Sequence, residues 1–525
     1  MTLGDLLTDH ARRRPQAVAL IDERAGHPTR TLTYAQLEDE VAGAAAWLAA
    51  QGLRRGSAVL TFVPMSADLY VALLALFRLG AVALFLDPSA GREHLERCCA
   101  RWTPDALLAI PKAHLLRLRS SALRRIPLKL HTGRGWIPGA RRWLSGGKPA
   151  IAAANVAGPE DPALVTFTSG STGVPKGAVR TQAFLLAQFH ALAPNITLEP
   201  GEVDLATLPV FTLANLAAGV TTVIPAVDLK RPGEVEAAPL FEQIKRRQVT
   251  RITASPAFFE RLIAHGRATG ERLPTLRKLY TGGAPVYPRL LDALRTWAPE
   301  AHTVAVYGST EAEPIAHLER EEITPDDLAA MRAGQGLLAG AVVPQIKLAI
   351  LRDQWGTPRE PMTQHQLEAE RRLPQLPGEI VVNGDHVLAG YLGGIGDAET
   401  KFSVDGKIWH RTGDAGLLDE RGRLWLLGRC AARIEDAHGV LYPFGVECVA
   451  MTYPTVRRAA VLSYAGRRLL VIEATEPGPK LEATLLAATE WAHLDEVMFL
   501  ERIPVDPRHN AKIDYPALRR LLEHR

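Results

Sequence analysis

Cysteine is scarce, with four in 525 residues, at 98, 99, 430 and 448, and none at a spacing that suits a metal. Cys98 and Cys99 are neighbours and poorly placed to pair, so a reduced, cytoplasmic setting is expected. Long apolar runs are missing as well. The longest, Tyr70 to Leu86, is broken by Arg78 and Gly80 and reads as a helix followed by a strand, not as a membrane span. Met1 to Pro15 mixes acids with arginines and has no apolar core of signal-peptide length. A charge excess is also lacking: 61 Lys and Arg against 57 Asp and Glu leave +4, too little to argue for nucleic acid.

One local absence is sharper. No carboxylate lies between Asp105 and Glu160, while the segment 111–150 carries ten basic residues: Lys112, Arg117, Arg119, Arg124, Arg125, Lys129, Arg134, Arg141, Arg142 and Lys148. Leu115, Leu116, Leu118 and Leu123 are interleaved with them, which predicts a basic amphipathic helix. Such a helix suits a peripheral membrane contact or an acidic partner; the plainer reading is a solvated surface excursion.

What is present is an ordinary globular composition, 47% hydrophobic and 22% charged, in a chain too long for one simple core. Two or more domains are expected. Leu37, Val41, Ala44, Ala45 and Leu48 recur at helical spacing, and a strand-like run follows at 58–63. A helix over 67–79 and a strand over 81–86, stopped by Asp87-Pro88, come next. Helix and strand alternating over short connections predict an α/β protein with a parallel sheet. Further strand or buried segments are expected at 205–209, 219–225 and 252–256, and a polar excursion at 355–376. No internal repeat or low-complexity tract is apparent.

The most informative stretch runs from Leu164 to Val179. It opens as a β-branched and aromatic strand and then breaks into Thr168-Ser169-Gly170-Ser171-Thr172-Gly173-Val174-Pro175-Lys176-Gly177. Backbone N–H groups and hydroxyls in such a loop can surround phosphate oxygens, with Lys176 adding a charge. It is not a Walker A loop, because Pro175 precedes the lysine and Gly177 follows it. Taken alone, it could equally be a solvated turn.

This loop resembles the phosphate-loop signature of the adenylate-forming superfamily, which includes acyl-CoA synthetases, peptide-synthetase adenylation domains and luciferases. The resemblance runs from about Leu3 to Arg520. It implies a large N-terminal adenylating domain of parallel and mixed sheets with helices over 1–429. It also implies a small, mobile α+β lid over 430–525, with ATP and Mg²⁺ as cofactors. Thr168 to Gly173 and Lys176 would then hold the phosphates.

Other motifs follow in the superfamily's order. Tyr280-Thr281-Gly282-Gly283-Ala284-Pro285 ends a strand in glycines, which let a flat ring lie on the backbone. By resemblance, Gly283, Ala284 and Pro285 border adenine and Gly282 borders the acid. In Tyr307-Gly308-Ser309-Thr310-Glu311, the resemblance has Tyr307 stack on adenine, Thr310 contact the α-phosphate and Glu311 coordinate Mg²⁺. Gly378 to Val382 and Ala389 to Leu392 resemble a motif expected to form strands. In His410-Arg411-Thr412-Gly413-Asp414, an ionised Asp414 can accept from both ribose hydroxyls, and Arg429 should reach ribose or phosphate. Near the end, Arg508 to Ile513 resembles the segment that holds the catalytic lysine. A cation there neutralises charge that concentrates in the transition state, and Lys512 is the candidate.

Three departures narrow the branch. Leu208 to Leu213 lacks the histidine of many relatives, which leaves Phe211 at the pocket-gating position. After Gly428-Arg429 the usual Lys-Asp hinge and Lys-x-x-Gly loop are replaced by Cys430-Ala431-Ala432-Arg433 and Ala437-His438-Gly439, removing residues that line the thiol tunnel of CoA ligases. The terminal Gly-Lys becomes Asn510-Ala511-Lys512. Together these resemble the β-lactone synthetases of bacterial long-chain olefin biosynthesis. That branch implies a 2-alkyl-3-hydroxy fatty acid substrate, ATP-dependent closure to a β-lactone, and other hydrocarbon-biosynthesis enzymes as docking candidates for 111–150. The alternatives are a fatty acyl-CoA or acyl-carrier ligase and a non-catalytic nucleotide-binding scaffold.

Overall fold

A computed structural model of the protein describes residues 2–87, 91–133, 135–143, 156–169, 175–506 and 512–524. The chain forms two compact units. One comprises Met1–Ala226, Arg246–Thr250 and Asp385–Asp397; the other comprises Val227–Lys245, Arg251–Gly384 and Ala398–Arg525.

In the first unit a seven-stranded sheet runs Arg141–Arg142, Leu128–His131, Ala106–Ala109, Ala58–Phe62, Val82–Phe85, Pro162–Ser169, Pro175–Thr181. All neighbours are parallel except the last pair, an antiparallel hairpin. Ala58–Phe62 and Ala106–Ala109 are buried at every position. That is why they read as continuous apolar runs: strands of a parallel sheet are covered on both faces. Helix Ala67–Arg78 is capped by Ser66, whose hydroxyl accepts from the Leu69 N–H, and every residue but Asp68 is buried. Arg78, which interrupts the apolar run, ends 2.6 Å from Glu38. A second sheet places Val203–Ala206, Thr221–Ile224 and Val18–Asp22 in parallel, with Arg30–Thr33 antiparallel to the last.

Three local expectations are corrected here. The basic segment does not form one amphipathic helix. Pro111–Leu115 is a 3₁₀ turn, Leu116–Arg119 a single α-turn, and Ser120 leaves helical geometry (φ −120°, ψ 122°) to cap Ser121–Arg125. The reason is local, since a serine that bonds the Leu123 N–H starts a new helix instead of continuing the old one. In the 205–209 segment the strand ends at Ala206, and Pro209 opens helix Pro209–Ala218 as its first residue. Ala389 to Leu392 is not a strand either. Only Tyr391 bridges, to Ala178, before a 3₁₀ turn in which Gly393 (φ 63°) and Gly394 (φ 71°) leave the extended region.

In the second unit Arg251–Ala254, Lys278–Gly282 and His302–Tyr307 are parallel. From there the sheet continues antiparallel through Ala316–Glu319, Leu337–Val342, Arg423–Arg429, Lys407–Leu418, Gly378–Asn383 and Lys347–Leu351. The excursion at 355–376 contains helix Gln364–Glu370, capped by Thr363. Towards the C-terminus a three-stranded sheet forms from Val456–Tyr464, Arg467–Ala474 and Glu496–Phe499. Its side chains alternate as period-two strands must. Val461, Leu470 and Ile472 pack with Val446 and Ala450 of helix Pro443–Met451, while Leu462, Leu469 and Val471 pack with Leu518 and Leu522 of helix Tyr515–Glu523. Among the described residues no helix is long and apolar enough to cross a membrane.

Candidate active site

One polar grouping of the second unit gathers at the ends of two strands, His302–Tyr307 and Arg423–Arg429, and inside a third, Lys407–Leu418. Asp414 and Arg429 are direct partners in the antiparallel register of Lys407–Leu418 and Arg423–Arg429. Arg429 Nη1 donates to Asp414 Oδ1 at 2.8 Å, and the Tyr307 hydroxyl, from the end of His302–Tyr307, donates to Oδ2 at 2.7 Å. Arg429 Nη1 also lies 3.3 Å from the Thr412 carbonyl. Thr412 Oγ1 donates to the Ile380 carbonyl and accepts from the Asp414 N–H, which fixes the carboxylate's approach. Burial, and then the Asp414 charge, push the Tyr307 hydroxyl well above its ordinary pKa. The same carboxylate raises Arg429, whose side chain is 56% exposed. Tyr307, Asp414 and Arg429 are thus brought together. However, Arg429 spends its contact on Asp414.

The residues between His410 and Asp414 have roles that the sequence did not reveal. Arg411 and Glu379 are both fully buried in a two-pronged ion pair at 2.8 and 2.9 Å. The remaining N–H groups of Arg411 go to the carbonyls of Thr357, Glu399 and Gln354, so all five donors are used. Its guanidinium lies 5.3 Å from the Trp355 ring centre. Gly413 has φ 72°, and a Cβ there would meet the Trp355 ring at 2.9 Å and the Arg429 guanidinium at 3.1 Å. Buried His410 faces Lys401 Nζ and the Thr400 carbonyl, each at 3.1 Å. Burial, reinforced by Lys401, pushes His410 down to about 3, while the Glu311 carboxylate acts in the opposite sense.

Ser309 shapes the next loop: its Oγ accepts from the N–H groups of Glu311 and Ala312. Gly308 is tight, since a Cβ would sit 3.0 Å from the Ala312 carbonyl oxygen. Residues 307–311 are all partly exposed, as are Gly282, Gly283, Ala284 and Pro285, so a ligand can reach them. Gly282 has a protein reason as well, because a Cβ there would stand 2.5 Å from the Val306 carbonyl oxygen of the neighbouring strand.

In the first unit Lys176 lies on strand Pro175–Thr181, opposite Thr168 in the hairpin register, and is 8% exposed. Its ammonium is 5.9 Å from the Tyr391 ring centre, and its stem crosses the backbone at Gly396, where a Cβ would be 2.6 Å from Cε. Gly170, Ser171, Thr172 and Gly173 lie outside the described residues. Thr168 and Ser169 end the strand Pro162–Ser169. Phe211 is a buried ring in helix Pro209–Ala218.

Lys512 is exposed and follows residues 507–511, which lie outside the described residues. Its backbone exchanges bonds with Asp506 at 3.1 and 2.8 Å, beside the Val505–Ile513 bridge. None of these bonds reaches Tyr307, Asp414 or Arg429. Where relatives carry a Lys-Asp hinge, Cys430–Ala432 forms a 3₁₀ turn. Arg433 then pairs with Asp353 at 2.9 Å, and the Tyr442 hydroxyl holds that carboxylate's other oxygen at 2.9 Å.

The profile of the AMP-binding enzyme family matches residues 7–392. An olefin β-lactone synthetase from Stenotrophomonas maltophilia (strain K279a) is 34% identical over 540 residues, covering 97% of this chain and 95% of the relative. An indoleacetate–CoA ligase from Aromatoleum aromaticum (strain DSM 19018 / LMG 30748 / EbN1) is 30% identical, covering 96% and 95%. Among solved structures, an o-succinylbenzoate coenzyme A synthetase from Bacillus subtilis in complex with ATP and magnesium ion superposes with a TM-score of 0.75. It is 22% identical and covers 99% of both chains.

Proposed function

Because the chain belongs to the family of AMP-binding enzymes and is an ATP-dependent, acid-activating ligase, we propose that it adenylates a 2-alkyl-3-hydroxy fatty acid and closes it to a β-lactone. The observation that carries this reading is the 34% identity to an olefin β-lactone synthetase across nearly the whole of both chains. The altered hinge at Ala431, Ala432 and His438 supports it, since the family's thiol-tunnel residues are missing there.

In the first step the acid's carboxylate oxygen attacks the α-phosphorus and pyrophosphate leaves, giving a mixed anhydride with AMP. In the second, the substrate's own hydroxyl oxygen attacks the activated carbonyl. The C–O bond to AMP breaks, and the hydroxyl proton is released. Intramolecular attack gains effective concentration, which offsets part of the four-membered-ring strain. Asp414 holds the ribose and Tyr307 the adenine, next to Gly283, Ala284 and Pro285. Arg429 accompanies Asp414, while Thr310, Ser309, Gly308 and residues 168–173 with Lys176 hold the phosphates. Glu311, a partly exposed carboxylate, fits Mg²⁺, which is commonly bound by one or two carboxylates plus substrate phosphates. Bound there, the ion would neutralise phosphate charge. Gly282 and Phe211 line the acid's side. The segment 430–525 acts as the mobile lid that delivers Lys512, and 111–150 meets an anionic partner.

The test is a product assay. With ATP, Mg²⁺ and a 2-alkyl-3-hydroxy acid, and no CoA, mass spectrometry should find a product lighter than the acid by one water, with AMP formed in equal amount. The matched acid lacking the hydroxyl should stall as bound acyl-AMP. Ready formation of a CoA thioester from either acid would replace this reading with an acyl-CoA ligase, the activity named for the Aromatoleum relative.

Asp414→Ala should weaken ATP and AMP binding about tenfold, the lower end of what a hydrogen bond to a charged group contributes. Binding of a 2′,3′-dideoxy analogue should hardly change. Calorimetry with both nucleotides checks this, and equal losses for the two would remove the ribose role.

A further inference from the structure

We propose that the turn Pro111–Leu115, the helices Leu116–Arg119 and Ser121–Arg125 and the loop at Trp136 form a docking surface for a bilayer carrying anionic lipid. This gives the anionic partner of the proposed function a chemical identity. It rests on that reading only for its purpose, which is to meet a poorly soluble acid where such acids gather.

Leu115, Leu118 and Trp136 are 60%, 76% and 80% exposed, more than any other large apolar side chain described except Leu373. Leu115 and Leu118 are three residues apart through the turn, a spacing that sets them on one side. The opposite side faces inward: Leu123 is fully buried, and Leu116 packs against the same core cluster. Arg117 Nη1 donates to the Pro138 carbonyl at 2.9 Å and so ties the Trp136 loop to the turn that carries Leu118.

On the same turn and helices are Lys112, Arg119, Arg124 and Arg125, all exposed and without a carboxylate partner among the described residues. Arg124 Nη1 donates to the carbonyls of Arg117 and Leu118, which holds its guanidinium at the end of the helix that carries Leu118. The sequence itself supplies no carboxylate between Asp105 and Glu160 to neutralise them.

A surface that carries separate apolar tips and exposed cations on the same short elements matches the boundary between headgroups and acyl chains. The tips enter the apolar layer, the cations stay with lipid phosphates, and tryptophan favours that depth. An acidic protein surface would pair the cations but offer nothing to three projecting apolar tips. With no helix able to cross a membrane among the described residues, the contact is peripheral.

The experiment is sedimentation of the full-length protein with vesicles, with no acid or ATP present, so failure of the lactone assay leaves it readable. Vesicles of phosphatidylcholine with about 30% phosphatidylglycerol should bind the protein at least about tenfold better than pure phosphatidylcholine, and raising the salt should weaken binding. Leu118→Ser with Trp136→Ser, or Arg119→Gln with Arg125→Gln, should each reduce binding about tenfold. All four together should bring it to background, with the unfolding midpoint unchanged. Equal binding to both vesicles, no binding, or wild-type binding by the fourfold variant would overturn the proposal. Retention on immobilised polyglutamate without vesicle binding would assign the surface to an acidic protein instead.

Discussion

Lys512→Ala should lower the rate of acyl-adenylate formation by about 10²–10³-fold, the loss seen when one transition-state donor is removed from a preorganised site. The affinity for ATP should change by less than about threefold, because a group that acts on transition-state charge shows itself in turnover and not in binding. The fold should be indifferent: the side chain is exposed, and Lys512 holds Asp506 through its own backbone N–H and carbonyl, which alanine keeps. Pyrophosphate release measured with saturating ATP and acid gives the first number, and nucleotide titration gives the second. Release near the wild-type rate would remove Lys512 from the reaction. The acid-activating role of the protein would remain.

The largest expected effect on stability lies at Arg411. Arg411→Met should destabilise the protein by about 3–5 kcal/mol, because it strands a buried carboxylate. Glu379 is fully buried, and its next cation, Arg359 Nε, is 3.7 Å away. Three backbone carbonyls, those of Thr357, Glu399 and Gln354, would lose their donor in the same step. Replacing Glu379 by Met as well should recover part of the loss, since an apolar pair of similar volume avoids the stranded charge. Arg359 would keep its 2.7 Å bond to Glu370. Denaturant unfolding of the wild type and the two variants is the measurement. If the double variant is no more stable than the single one, the carboxylate is not what makes Arg411 indispensable.

These two residues also show what sequence can and cannot reveal. Lys512 stands out because a lysine in an ordered series of motifs has a recognisable chemical place. The helix Tyr34–Ala50, the strand Ala58–Phe62 and the helix Ala67–Arg78 were legible because burial writes itself as periodicity. The grouping of Tyr307, Asp414 and Arg429 was legible only as three separate motifs, and nothing in their spacing says that Arg429 bonds Asp414. Arg411 was invisible in this respect. Its importance lies in contacts 12 to 57 residues away along the chain, which no local pattern encodes. The basic segment misled for the opposite reason. Leucines interleaved with arginines satisfy a helical pattern, but one well-placed serine at 120 divides them between two short helices, so that Leu123 faces the core and Leu118 faces water.

The Asp414 carboxylate already holds a donor on each oxygen, Arg429 on one and Tyr307 on the other. An ionised carboxylate has about four acceptor positions, so a ribose bound there would share the carboxylate with donors the protein already supplies. Sites that strongly reject an analogue lacking a hydroxyl do so because the missing group leaves a buried acceptor stranded. Here no acceptor is stranded, since the protein's own donors stay or return, and the mismatch is healed locally. Selectivity for ribose over a 2′,3′-dideoxy sugar should therefore stop near the roughly tenfold that Asp414 itself contributes, well short of what a stranded acceptor would impose.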